Sequence, residues 1–209
     1  MTSTWTVEQW TAHWNAKAAI EDPIELNGYC VGGVPINRER YEAAVVRPSL
    51  ETLELEPHHH ALEVGCGSGL LLSEIERRVE RAVGTDVSEA LLRRYRGSAE
   101  THVCAAHELP FAGEQFDRIL MWSVAHYFPD VDYFGDVATK LVTLLRAPGI
   151  LLIGDVPLGP QPPTTPYLWY ERTDLARKLE PLGLPFSIAA QSRLKRAINV
   201  RYDIIVYKD

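Results

Sequence analysis

The sequence predicts an α/β fold: a doubly wound, seven-stranded, mostly parallel sheet with an antiparallel last strand and an N-terminal helical cap. Three observations predict it. Short apolar runs alternate with amphipathic segments between Ala61 and Val156. A glycine-rich turn, "GCGSG", joins the first apolar run to the first amphipathic one. Two strand-like runs with nothing helical between them close the chain. Strand–helix alternation implies right-handed crossovers and a parallel sheet with helices on both faces.

The elements follow in order. "ALEVG" reads as a strand and "LLLSEIERRV" as a helix, with Leu71, Leu72, Ile75 and Val79 on one face. "AVGTDV" is a second strand. "SEALLRRYR" is a helix capped by Ser88, with acid in its first turn. "THVCAA" is a third strand. "FDRILMWSV" is a fourth, a nearly continuous apolar run of the kind found where both sheet faces are covered. "DYFGDVATKLVTLL" is a helix stopped by "RAPG", and "GILLIGDV" is a fifth strand. The proline-rich stretch Pro157 to Pro166 excludes a central strand or helix interior and reads as a long loop over one sheet edge. A helix from Thr173 to Leu182 ends at Gly183. "FSIAAQSR" and "RYDIIVYK" then read as an antiparallel pair. Residues 1–56 do not alternate. They hold Trp10 and Trp14, four apart on one helix face, and the helical runs "NRERYEAAVV" and "SLETLEL". This segment is expected to cap the open end of the sheet built by residues 57–209.

Composition narrows the function classes. Of 209 residues, 46% are apolar and 23% charged, the balance of a globular domain. No apolar run approaches the roughly 20 residues that span a bilayer. The net charge of −7 argues against nucleic acid and anionic membranes as partners. The N-terminus lacks a basic stretch followed by an apolar one, so no secretory signal is expected. Cys30, Cys66 and Cys104 form no CxxC pair and read as free thiols in a reducing cytoplasm. His58, His59 and His60 are adjacent in an extended stretch, where successive side chains point apart. They read as a surface loop, and no metal site is expected.

The glycine turn carries the function. In a parallel sheet, ligands sit beyond the carboxyl ends of the strands where strand order reverses, beside the first strand. There the turn must let a helix start close in, with its N–H groups facing the ligand. Gly65, Gly67 and Gly69 suit such a turn. A phosphate-cradling loop would continue Gly-Lys-Ser/Thr, but Leu70 and Leu71 follow Gly69. A dinucleotide site of the G-x-G-x-x-G type would need glycine at Leu70. The pattern present is E-x-G-x-G-x-G, with Glu63 at the strand end. An acid there repels a pyrophosphate and welcomes a cationic ligand. Asp86, in "VGTDVS", lies some 20 residues on, where an acid can accept two ribose hydroxyls.

"LEVGCGSG" resembles the first motif of the class I S-adenosylmethionine (SAM)-dependent methyltransferases. The resemblance covers Leu62 to Val156 and extends through "VGTDVS", "AAHELPF", "FDRILMWSVAHYF" and "APGILLI". It implies a Rossmann-like domain with SAM as cofactor. By that resemblance Asp86 holds the ribose, Val87 packs on adenine, and the Ala106 N–H reaches adenine beside His107. Ala105 stands where the family often has an acid. Glu63, Cys66 and Ser123 complete the expected cofactor set, with Cys66 as a small space-filler in the turn.

His126 and Tyr127 follow the fourth strand and are the expected catalytic and acceptor-contacting pair. His126 is the natural base, since an imidazole titrates near neutrality. Trp14 and Tyr29 are expected to close over the acceptor from the N-terminal segment. The Asn/Asp-Pro-Pro-Tyr/Phe tetrapeptide of nucleic-acid amino methylases is absent where "SVAHYF" stands. A small-molecule acceptor in natural-product or sugar biosynthesis is therefore expected, by a monomer or homodimer. Methylation of protein or RNA, and SAM binding without chemistry, are the alternatives.

Overall fold

The computed structural model describes residues 4–31, 33–113, 115–162, 165–191 and 201–209. Seven strands form one sheet: β1 His60–Val64, β2 Arg81–Asp86, β3 Glu100–Val103, β4 Phe116–Trp122, β5 Leu145–Pro157, β6 Phe186–Gln191 and β7 Arg201–Lys208. Their order is β3-β2-β1-β4-β5-β7-β6. The first five are parallel. β7 runs antiparallel to both β5 and β6, as the closing pair of apolar runs predicted. The connection between β6 and β7, residues 192–200, lies outside the described residues.

Side-chain alternation builds two cores from the same strands. Leu62, Val64, Ile119, Met121, Leu151 and Ile153 face one layer. Ala61, Leu120, Trp122, Ile150 and Leu152 face the other. Strands buried on both faces read as continuous apolar runs because neither parity can be polar. Helix Val131–Leu144 covers the first face. Its N-cap is Asp130, which accepts the Tyr133 N–H at 2.8 Å. Phe134, Val137, Ala138, Leu141 and Leu144 form its buried stripe at helical spacing.

The second face is covered by the N-terminal segment itself. Helical residues run from Arg38–Tyr41 through a π-helical stretch, Glu42–Val46, into Arg47–Leu53. Pro48 lies inside this rod. It supplies no N–H and crowds the carbonyl four residues back, and the wide π turn lies just before it, with Arg47 N–H bonding Glu42 O. Tyr41, Val45, Val46 and Leu53 pack on the sheet, and Arg118 Nε donates to Leu53 O at 2.5 Å. Residues 38–53 are thus a layer of the sheet domain, and the part lying over the open end of the sheet stops at about Ile36.

Other elements are shorter or more irregular than the pattern suggests. The helix after the glycine turn is only Leu72–Ile75. Beyond it, Arg78 N–H takes the tighter bond to Ile75 O. Glu76 instead gathers the Tyr95 hydroxyl and the N–H groups of Ser98 and Ala99. After β2 the helix is only Glu89–Leu92, capped by Ser88 as expected. "RAPG" lies inside β5, at an irregular step where pairing jumps from Leu145 to Ile150. No helix among the described residues is long and apolar enough to cross a membrane.

Phe134 is fully buried, with its ring 5.3 Å from that of Tyr170. Phe134→Ala should lower unfolding free energy by about 3–5 kcal/mol. Urea titration should show a lower midpoint with an unchanged slope.

Candidate active site

The strand order 2-1-4 opens a crevice where β1 and β4 send their chains in opposite directions. The glycine turn fills its base. Gly65 and Cys66 N–H groups both bond Thr85 O, at 2.7 and 2.9 Å. Gly67 N–H bonds Asp86 Oδ2 at 2.9 Å, and Ser88 N–H bonds Asp86 Oδ1 at 2.8 Å. One carboxylate therefore ties the turn after β1 to the turn after β2.

The glycines are required for two reasons. Gly65 and Gly67 hold φ of 74° and 57°, in the left-handed region. A Cβ on Gly65 would collide with Val124 Cγ2, and one on Gly67 with Asn27 Oδ1. The side chains that crowd the bare main chain therefore belong to this protein's own β4 exit and N-terminal segment. Asn27 is clamped there. It accepts the Ser68 N–H at 3.0 Å and donates to Ser68 Oγ at 2.6 Å.

Above this turn lies a cavity of about 920 Å³, its open mouth included. Gly65, Cys66 and Gly67 line it, with Glu63. Asp86, Val87, Leu91 and Ala106 form one end. Ser123, Val124 and Tyr127 form another side, and Trp10, Trp14, Asn27 and Tyr29 come from the N-terminal segment.

The N-terminal helix Val7–Lys17 is held down by polar bonds as well as rings. Thr6 and Gln9 make a capping box. Asn15 Oδ1 accepts from Ser88 Oγ at 2.7 Å, and Arg94 Nη1 donates to Ala18 O at 2.6 Å. Trp10 and Trp14 are buried together with Leu26 and Leu91. Trp10 also stacks on Tyr167 of the proline-rich loop, at 5.2 Å and 13°. Just ahead of the helix, Trp5 N–H bonds Pro166 O of the loop.

Two buried carboxyls dominate the electrostatics. Burial holds the Asp86 carboxyl above its usual range, while N–H groups of Ser88, Gly67 and Val87 pull it back. Glu63 lies well above its usual range. Burial is the main cause and the neighbouring Asp86 charge the next, while the Leu72 N–H opposes both. Glu63 Oε2 is buried with no hydrogen-bond partner among the described residues. Such an orphaned acceptor beside a second acid fits a ligand that brings cationic and hydroxyl groups. Burial also pushes the Cys66 thiol up, with Glu63 and Asp86 reinforcing it, and its sulfur packs beside Gly84. The space-filling role expected for Cys66 agrees with this environment.

The expected residues divide clearly. Glu63, Gly65, Cys66, Gly67, Asp86, Val87, Ala106, Ser123, Trp14, Tyr29 and Tyr127 all reach the cavity wall. Gly69, His107 and His126 do not. Gly69 is backed by the Tyr95 ring. His107 is turned to solvent, with Nδ1 bonded to Tyr133 Oη at 2.7 Å. His126 was expected at the reacting atoms, and it is not on the cavity wall. The 3-10 turn Ala125–Tyr127 carries it behind the wall, where it is only 2% exposed and packs on Tyr127 and Tyr167. Sequence reasoning missed Trp10, Asn27 and Tyr133 on the wall. Trp10 was legible as the helical partner of Trp14, whereas nothing local marks Asn27.

Of the three histidines expected in a surface loop, His58 is exposed, while His60 opens β1. His59 is buried, and its Nδ1 accepts the Glu56 N–H at 3.0 Å. Side-chain ligand atoms of Glu56, His58 and His59 lie within 4.8 Å of one another. Burial and the Arg118 guanidinium hold His59 below its usual range.

Comparison with known proteins follows the same lines. Residues 62–153 match the model of a methyltransferase domain family. Over 134 residues the chain is 34% identical to a probable non-canonical nonribosomal peptide synthetase, CymA, of Salinispora arenicola, covering 60% of this chain and 2% of that protein. It is 32% identical over 106 residues to a ubiquinone biosynthesis O-methyltransferase of Rhizobium etli, covering 46% of this chain and 40% of the relative. The chain thus matches less than half the length of either relative. In fold it is similar to magnesium protoporphyrin IX methyltransferase of Synechocystis PCC 6803 with bound SAH, at a TM-score of 0.69 and 15% identity, covering 96% of this chain and 99% of that one. Fold and site define a Rossmann-like domain with an acidic, capped crevice at its switch point. Within that class, residues 62–153 carry the methyltransferase-domain match, and the fold is like that of the SAH-bound porphyrin methyltransferase.

Two outcomes test the site. Gly65→Ala should weaken S-adenosylhomocysteine (SAH) binding tenfold or more in calorimetry, because the strained turn must shift against Val124. For Glu63 the sign is set by its raised carboxyl. A cationic ligand favours the carboxylate, so a proton leaves on binding and affinity rises with pH up to the raised value. SAH affinity should therefore climb as pH rises above the ordinary carboxylate range, below the titration of the ligand's amino group. Glu63→Gln should flatten most of that rise.

Proposed function

We propose that this protein transfers the methyl group of SAM to a small-molecule acceptor in a biosynthetic reaction. The observation that carries the reading is one continuous cavity that runs from the Asp86–Val87 end to the Ser123–Tyr127 side under the protein's own aromatic cover. When bound, SAM supplies an electrophilic methyl carbon and a neutral thioether as leaving group. No oxyanion then needs a donor and no leaving group needs a proton. The chain's contribution is to position two reactants on one axis and keep water out.

Asp86 would hold the ribose and Val87 and Ala106 the adenine, with Glu63 drawing the cationic end to the glycine turn. Trp10, Trp14, Tyr29 and Tyr127 supply apolar surface against which a compact acceptor packs. The helix Val7–Lys17 and the proline-rich loop meet over this cavity, which suits a small acceptor better than a polymer strand. The net charge of −7 argues in the same direction against nucleic acid. The names of the relatives, a peptide synthetase and a ubiquinone biosynthesis O-methyltransferase, also favour a small acceptor. Cys66 and Cys104 are free thiols, which supports a reducing cytoplasm as its place.

The test is label transfer. Protein incubated with methyl-labelled SAM and extract from its source cells should place label in a component below about 1 kDa. Asp86→Ala should abolish that transfer together with detectable SAH binding. Label in protein or RNA instead would overturn the small-molecule reading. Heat from NAD but none from SAH would overturn the cofactor assignment for this chain.

A further inference from the structure

Behind Ser123 lies a buried polar network outside the assignments above. Ser123 directly follows β4 and Asp155 sits in β5, and both are non-glycine residues at left-handed φ, 59° and 61°. Such backbone is strained and persists where the surroundings over-determine it. Here the cause is visible. Between Ile153 and Val156, β5 carries one residue more than its partner β7, since Ile153 pairs Ile204 and Val156 pairs Tyr202. This bulge re-aims the Asp155 side chain toward the end of β4, the way bulges beside active sites redirect side chains.

The bonds define direction as well as place. Ser123 Oγ donates to Asp155 Oδ2 at 2.7 Å. Gln191 Nε2 donates to Asp155 Oδ1 at 3.2 Å. Arg201 Nη1 donates to Asp155 O at 2.9 Å, and its Nε lies 3.8 Å from Oδ1. Asp203 Oδ1 takes the Asp155 N–H at 3.1 Å. Asp155 is 0% exposed, and Gln191, Arg201 and Asp203 are each buried. A carboxylate surrounded by donors is an acceptor, so the Ser123 proton is committed to it. Ser123 Oγ therefore presents lone pairs, and no proton, to the cavity it lines.

We propose that Ser123 and Asp155 form a proton relay for the methyl acceptor, and that the acceptor atom is an oxygen or nitrogen bearing hydrogen. The inference rests on the methyl-transfer reading and gives it a substrate class. As the acceptor heteroatom bonds the methyl carbon, the carbon–sulfur bond breaks and its electron pair leaves with sulfur. The heteroatom's proton passes to Ser123 Oγ while the Ser123 hydroxyl proton passes to Asp155 Oδ2. The relay fills the place that the burial of His126 leaves open.

Two variants test it without disturbing the backbone. Ser123→Gly removes the hydroxyl and suits the left-handed φ. Asp155→Asn keeps the shape and tolerates that φ, but cannot take the proton. Each should slow transfer to the labelled extract component by about 10²–10⁴-fold. Ser123→Gly should stay folded and lower SAH affinity far less than it slows transfer. With trideuteromethyl-SAM, fragmentation of the product should place the label on oxygen or nitrogen. A near-wild-type rate in either variant, a tenfold loss of SAH affinity in Ser123→Gly, or label on carbon or sulfur overturns the relay. No labelled product from wild-type protein that binds SAH overturns the methyl-transfer reading itself.

Discussion

The Asp86 carboxylate is the interaction on which the site depends. Its two oxygens take N–H groups from separate turns, Gly67 after β1 and Ser88 after β2. That bridge ties the glycine turn to the turn after the second strand, beside the Gly65 and Cys66 N–H bonds to Thr85 O. Charge-assisted bonds of this type are about twice as strong as neutral ones. Burial raises the cost of the charge, and the N–H groups offset it. Each oxygen retains acceptor capacity after its backbone bond, so the group that organises the turns can still grip a ligand.

The N-terminal segment depends on the same turns. Asn27 bonds Ser68 within the glycine turn, and Asn15 bonds Ser88 and Ala90 at the helix after β2. The cover is therefore docked on the two loops that Asp86 joins. Its aromatic side chains then define the upper wall, with Trp10 and Trp14 each in edge contact with Tyr127. The cover is thus held to both turns through short polar bonds as well as apolar area.

Much of this was legible in the sequence because it rests on local rules. Strand parity made both cores readable as apolar runs, and alternate glycines after Glu63 marked the turn. Asp86 could be placed by its distance from that turn. Four-residue spacing put Trp10 and Trp14 on one face. The unread parts depend on geometry that no local pattern encodes. His126 looked exposed to the crevice because it follows β4, but one 3-10 turn rotates it behind the wall. Asp155 looked like an ordinary strand residue, because a bulge registers only against the partner strand β7. Asn27 contacts a turn some forty residues away, and its role exists only in the folded chain. The N-terminal helices gave no sign that residues 38–53 would join the sheet layers while the residues before them cover its end.

A crystal structure with SAH tests the central claim most directly. The account predicts both ribose hydroxyls within hydrogen-bonding distance of Asp86, with its bonds to Gly67 and Ser88 intact. A nucleoside bound elsewhere, or an Asp86 side chain turned away from the sugar, would contradict it.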